Sequence, residues 1–321
     1  MVDAAVSKAR LWTGLLAVWT VWGSTYLAIR FVVEALPAFL AAGARFVVAG
    51  SILFAWACLR EGERPRAREW GPATVVGGFL LLGGNGAVMW AEQRVPSGLA
   101  ALLVAIVPLW IVVLEMLRRG GTRPGLRTLG GVALGLCGVG LLVSPGELGG
   151  HGVDPVGAGV LMLGSLSWAI GSLYSRRAGL PRSPLLATGM EMLGGGVLLL
   201  LVGTATGELG ALHLARVGAR AWLALGYLVV FGSLVGFTTY IWLLRVTTPA
   251  IATTYAYVNP IVAIFVGWAL AGEAITGRTI TAMAVIVGAV VVLTTRRAGL
   301  PAAAAPLEEP LDSAPLVREA P

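Results

Sequence analysis

Arg45, Glu191 and Glu115 lie inside long apolar runs. An ionisable side chain at such depth in a bilayer costs about 2.5–3.5 kcal/mol on insertion scales, so each asks for a partner or a task. Arg45 follows Gly43 by two residues and Glu191 follows Gly189 by two, in corresponding parts of two similar stretches. A basic group from one stretch could therefore meet an acidic group from the other in a buried ion pair; separate snorkelling and capping of a neighbouring helix are the alternatives. Glu191 could also carry a proton. Glu115, ahead of Arg118 and Arg119, suits pairing along its own helix, with proton transfer as a second use.

Asn85, Met89 and Glu92 are spaced i, i+4, i+7, which on a regular helix puts an amide, a thioether and a carboxylate on one face. In hydrocarbon that face either lines a solute path or hydrogen-bonds another helix. Glu92 and Arg94 then fall in a short turn, as a local salt bridge or as solvated groups. Trp19, Trp22 and Tyr26 stack at i, i+3 and i+7 with Ser24 between them, and Trp168, Ser172 and Tyr174 stand in the corresponding later helix. Rings carrying one polar atom suit a pocket for small amphipathic solutes, although Trp and Tyr near helix ends also mark the lipid interface, the reading for Trp12 and Trp222. Thr253, Tyr255, Tyr257 and Asn259 make their run the most polar of the apolar ones and the best candidate for substrate contact. Pro260 in that run and Pro108 in an earlier one each free a carbonyl about one turn back, near Ala256 and Val104, and are candidate hinges.

These residue types support binding better than catalysis. The two histidines, His151 and His213, fall in predicted loops, and HExxH and GxSxG are absent, so no enzyme, metal site or cofactor is expected. No glycine-rich phosphate loop follows a strand, which leaves a gradient as the energy source. Cys58 and Cys137 sit in apolar runs and read as buried free thiols.

The elements that must position these groups are membrane helices. Hydrophobic residues make up 57% of the chain against 12% charged, and mean hydropathy is +0.85, too apolar to dress a soluble globule. Apolar stretches of about 20 residues give ten predicted spans, at 11–29, 37–59, 71–90, 97–117, 128–143, 156–174, 184–204, 220–244, 249–270 and 280–295. The first carries three tryptophans and no small-residue cleavage site, so it reads as a retained helix. Residues 298–321, with five prolines and no apolar period, read as a disordered cytoplasmic tail.

The chain also matches itself. Residues 94–108, RVPSGLAALLVAIVP, parallel residues 245–260, RVTTPAIATTYAYVNP, each ending on a proline within an apolar run. Five spans fall in each half; five is odd, so the second half enters the membrane from the opposite side and lies inverted. Placing the N-terminus in the cytoplasm puts 17 of 23 basic residues on that side and five outside, with Arg45 in a span. The positive-inside rule therefore selects two cytoplasmic termini and accounts for the net charge of +7 as a topology signal rather than a nucleic-acid surface.

Residues 19–50, WTVWGSTYLAIRFVVEALPAFLAAGARFVVAG, resemble the opening of EamA-family members of the drug/metabolite transporter superfamily, most specifically at Trp22-Gly23-Ser24-Thr25-Tyr26. Asn259-Pro260, then Ala271-Gly272-Glu273, resemble the closing pattern of the family's repeat. The resemblance covers residues 10–297. It implies an all-α integral membrane protein of ten transmembrane helices in two inverted five-helix repeats, 10–145 and 155–297, with a substrate cavity between them and export of small metabolites, often amino acids. Arg118-Arg119-Gly120-Gly121 stands where the second repeat has Leu270-Ala271-Gly272-Glu273, so the acid is missing from the first. The expectation is a secondary active exporter of amino acids, related neutral or amphipathic solutes or drugs, working by alternating access in the cytoplasmic membrane with the lipid bilayer as its solvent. A channel or lipid flippase is the alternative. Protons as coupling ion against uniport, and the oligomeric state, stay open.

Overall fold

The computed structural model describes residues 7–62, 64–117, 125–143, 154–247, 251 and 254–294. Thr253, His151, the segment 118–121 and the tail 298–321 lie outside these. Among the described residues every regular element is helical. In chain order they are α1 (Lys8–Val33), α2 (Ala38–Arg60), α3 (Ala67–Ala91), α4 (Ser97–Leu117), α5 (Leu126–Val143), α6 (Pro155–Ser175), α7 (Pro184–Ala205), α8 (219–246), α9 (Tyr255–Ala271) and α10 (Gly277–Thr294). Seven of them, α1 to α4 and α6 to α8, are long and apolar enough to cross a membrane, and α5, α9 and α10 hold shorter apolar cores.

Local chemistry sets the helix ends. Asp154 caps α6 by accepting from Val156 N (3.3 Å) and Gly157 N (3.2 Å), with Pro155 pre-set in the first turn. Ser183 caps α7 in the same manner and donates its hydroxyl to Glu61 Oε2 (2.7 Å) beyond the end of α2. Glu208, just past α7, accepts from Phe39 N (3.2 Å) and Leu40 N (2.9 Å), the free donors of the first turn of α2. Each of these two helices is thus tied to the other at both ends.

Between those ties the helices touch through glycine. A Cβ on Gly43 would come within 2.9 Å of Leu200 N, and one on Gly196 within 2.9 Å of Val47 N; Gly50 and Gly189 make the matching approach one turn cycle away, to Leu193 N (2.9 Å) and Phe54 N (2.8 Å). Lipid tails are as apolar as leucine, so close backbone packing of this kind, rather than burial from water, drives helix association. Gly77 of α3 and Gly195 of α7 form a second such contact, where a Cβ on Gly77 would overlap the Glu191 carbonyl. Large apolar side chains point outwards instead, among them Leu59, Leu163, Leu223 and Phe265, as a lipid-facing surface requires.

Contacts between segments sort the helix ends into two sets. Arg10 over the Trp242 ring, Glu61 with Ser183 and Glu115 with Arg176 (3.7 Å) mark one end of the bundle. Glu208 with α2, Arg94 with Asp154 (3.7 Å), Arg220 over the Phe31 ring, and Arg278 donating to Leu141 O mark the other. Two helices depart from regular winding. α3 widens to π-helix over Gly78–Gly86 and α8 does so over Leu228–Val235, while α4 breaks at residues 105–106, just before Pro108. Pro260 sits inside an uninterrupted α9.

Replacing Gly195 by Ala is expected to lower the unfolding free energy in detergent by about 1–3 kcal/mol, because backbone must move to admit the methyl group. Gly140→Ala, which meets open space, is expected to leave stability unchanged or raise it by up to about 1 kcal/mol; equal losses at both positions in a denaturant titration would contradict this packing.

Candidate functional site

The π turns place backbone carbonyls where a regular helix would not. In α8 the Gly232 carbonyl accepts from Trp22 Nε1 (3.1 Å), and the next residue, Ser233, receives Arg45 Nε on its hydroxyl (3.0 Å). Around Trp22 stand Phe237 and Tyr240 of α8, with ring centroids 5.3 Å away, and Tyr255 of α9 at 4.8 Å. Tyr240 and Tyr255 meet edge to face at 5.5 Å. All four rings are half-buried, forming an aromatic box from α1, α8 and α9. Small residues make this possible: a Cβ on Gly236 would collide with the Trp22 indole, and one on Gly23 with Val262 (2.5 Å).

Arg45 reaches this region from α2. It is 4% exposed, lies over the Phe46 ring at 4.6 Å, and its Nη1 has no hydrogen-bond partner among the described residues. The expected ion pair with Glu191 does not form. The glycine register explains why: Gly43 lies level with Leu200 and Gly50 with Leu193, so Arg45 and Glu191 sit about seven residues apart along the contact, roughly 10 Å. Glu191 belongs instead to the part of α7 that packs on α3. Asn259 of α9 is also buried, with Oδ1 unpartnered.

The other anticipated residues scatter. Asn85 donates to Leu80 O (3.4 Å), five residues back, within the π stretch, so the regular spacing that put it on one face with Met89 and Glu92 does not hold there. Met89 is fully buried. Trp168 is half-buried against Gly84, and Ser172 donates to its carbonyl (2.7 Å). Ser24 bonds the Tyr227 hydroxyl (2.7 Å) in a groove of about 490 Å³ between α1, α8 and α9 whose outer wall includes Phe265, 61% exposed. Tyr26 packs against the main core, and Tyr257 lies on α9. Glu115 pairs with Arg176 of α6 rather than only along its own helix. Phe237, Tyr240 and Ser233 were not anticipated; the i, i+3 spacing of Phe237 and Tyr240 after Gly236 is the one sequence signal they carry.

A second polar cluster closes the end of the bundle opposite Arg10. Gly272, at φ +66°, lets the chain turn off α9 so that Glu273 N bonds Gly267 O (3.1 Å) and the Glu273 side chain points back inwards. Its carboxylate accepts from Arg30 Nη1 (2.8 Å), Ser97 N (2.9 Å), Ser97 Oγ (2.8 Å) and Gly98 N (3.1 Å), joining α1, α4 and α9. Glu92 lies beside them at the end of α3. It is 4% exposed, neither oxygen has a hydrogen-bond partner among the described residues, and it forms no ion pair with Arg94, which binds Asp154. Burial, reinforced by the charge of Glu273, pushes the Glu92 carboxyl well above the usual carboxylate range.

An apolar helical bundle with seven helices long enough to cross a membrane defines a helical membrane protein. The comparisons with known proteins agree. The EamA-like transporter family matches residues 11–144 and again 155–295, and the chain belongs to that family. It is 42% identical to the uncharacterized inner membrane transporter YedA of Escherichia coli strain K12, over 88% of this chain and 90% of that one. A chloroplastic WAT1-related protein of Arabidopsis thaliana is 26% identical over 87% of this chain and 68% of its own. A protein of known crystal structure shares the fold at a TM-score of 0.61, with 24% identity, covering 92% of this chain and all of that one.

Ser233→Ala leaves Arg45 without its hydrogen-bond acceptor and is expected to cost about 1–3 kcal/mol of stability, with Ser233→Thr recovering most of it in thermal unfolding. A loss confined to a few tenths of a kcal/mol would mean that Arg45 is held otherwise.

Proposed function

We propose that the protein is a secondary carrier that exports a small zwitterionic or neutral solute with an apolar part, such as an amino acid, across the cytoplasmic membrane by alternating access. The observation that carries this reading is the pairing of the Trp22–Phe237–Tyr240–Tyr255 box with two buried, unsatisfied polar atoms, Arg45 Nη1 and Asn259 Oδ1. Rings receive the apolar part of a solute, the guanidinium a carboxylate, and the amide oxygen an ammonium or amide donor. An unpaired cation inside a membrane bundle is costly enough that a recurrent partner is its best explanation. Two matched stretches of similar length support ten spans in two inverted halves with both termini in the cytoplasm, and the basic residues Arg10, Arg60, Arg176 and Arg182 at one end support that orientation. YedA is described as an inner membrane transporter, in keeping with this location. Pro108, just after the break in α4, and Pro260, within α9, are the candidate hinges.

The lateral groove beside Ser24 and Tyr227 favours a second reading, movement of an amphipathic lipid, because its wall opens through Phe265 towards the bilayer. Counterflow in proteoliposomes separates the two. Labelled neutral amino acids are expected to exchange saturably, and Trp22→Ala to raise the half-saturation concentration about tenfold, the equivalent of losing one aromatic contact pair. Scrambling of labelled phospholipid without amino-acid exchange would select the lipid reading instead.

A further inference from the structure

Glu92 is buried with two orphaned oxygens, an arrangement that an ionised carboxylate tolerates only with partners. The groups that face it come from two directions. Helix α1 brings Tyr26 and Arg30, and the turn after α9 brings Glu273. Helix α6 carries Asp154 at this end, already bound to Arg94, and the charges on α2 are Arg45, bound to Ser233, and Arg60 at the opposite end. Among the described residues Arg30 is therefore the cation placed to answer an ionised Glu92, since Arg94 is held by Asp154, and it is already engaged by Glu273 (2.8 Å) and Glu34 (3.2 Å). A cleft of about 400 Å³ lined by Arg30, Glu34, Glu92, Gln93 and Arg94 brings water next to this residue.

We propose that Glu92 is a proton-binding site that governs the Arg30–Glu273–Ser97 junction: the neutral acid permits the closed junction, and its anion draws Arg30 away from Glu273 and opens it. The proton leaves to water in the cleft, and no other group changes its charge. Since the closed form holds this proton more tightly than an open one, in which Glu92 meets water, raising the pH favours opening and lowering it favours closure. For its use in coupling, the inference rests on the carrier reading; its chemistry does not.

The test follows the junction itself, without any solute. In the full chain in lipid nanodiscs, with Cys58 and Cys137 changed to Ala, spin labels at Ala35→Cys and Ile275→Cys, both at exposed positions, report the separation of the α1 and α9 ends. The expected result is a short distance in mildly acidic buffer that lengthens as the pH rises, and loss of that response in Glu92→Gln, which copies the neutral acid and stays short throughout. A Glu92→Gln protein that still lengthens with pH overturns the proposal, as does a pH-independent distance in the wild type. Infrared titration of the wild type supplies a check that needs no variant: the band of a protonated carboxyl must disappear with the same midpoint as the distance change, and a different midpoint or no such band overturns it. A junction that responds to pH in a protein without solute exchange would remove the carrier reading and leave this one standing.

Discussion

The fold depends on backbone meeting backbone where α2 crosses α7. In a bilayer, association gains nothing from expelling water, so the helices must be held by contact and by hydrogen bonds that lipid cannot offer. Gly43, Gly50, Gly189 and Gly196 supply the contact. Glu208 on the first turn of α2, and Ser183 with Glu61 at the start of α7, supply the hydrogen bonds. Everything else is arranged around this pair: α3 packs on α7 through Gly77 and Gly195, and the π stretch of α8 lies against α2 through Arg45 and Ser233.

The two π stretches play corresponding parts on the two flanks. That in α8 offers the Gly232 carbonyl to Trp22 of α1, and that in α3 offers the Phe79 carbonyl to Ser167 of α6 (2.8 Å). The flank of α8 carries the aromatic rings and Arg45, and the flank around Trp168 and Gly84 is packed on small residues.

Helical character and most span boundaries were legible in the sequence because hydropathy and proline punctuation act locally. Trp22 and Tyr255 stood out for the same reason, as polar-edged rings within apolar runs, and the fold brings the two rings together. Arg45 was visible as an anomaly, but its partner was not: sequence equivalence between repeats says which residues occupy similar places, whereas contact depends on the register of the crossing, which the glycines set. The face shared by Asn85, Met89 and Glu92 failed for a related reason, since a regular period was assumed through a segment that winds with i to i+5 spacing. Glu92 itself looked like a turn residue, whereas the fold buries it beside Glu273, which returns from a distant helix end.

The glycine crossing has a steric consequence for traffic. Where a single methyl group cannot be inserted between α2 and α7 without displacing backbone, no solute can pass between them either. In this arrangement the α2–α7 pair is a closed partition through the bundle, and any open path lies to one side of it.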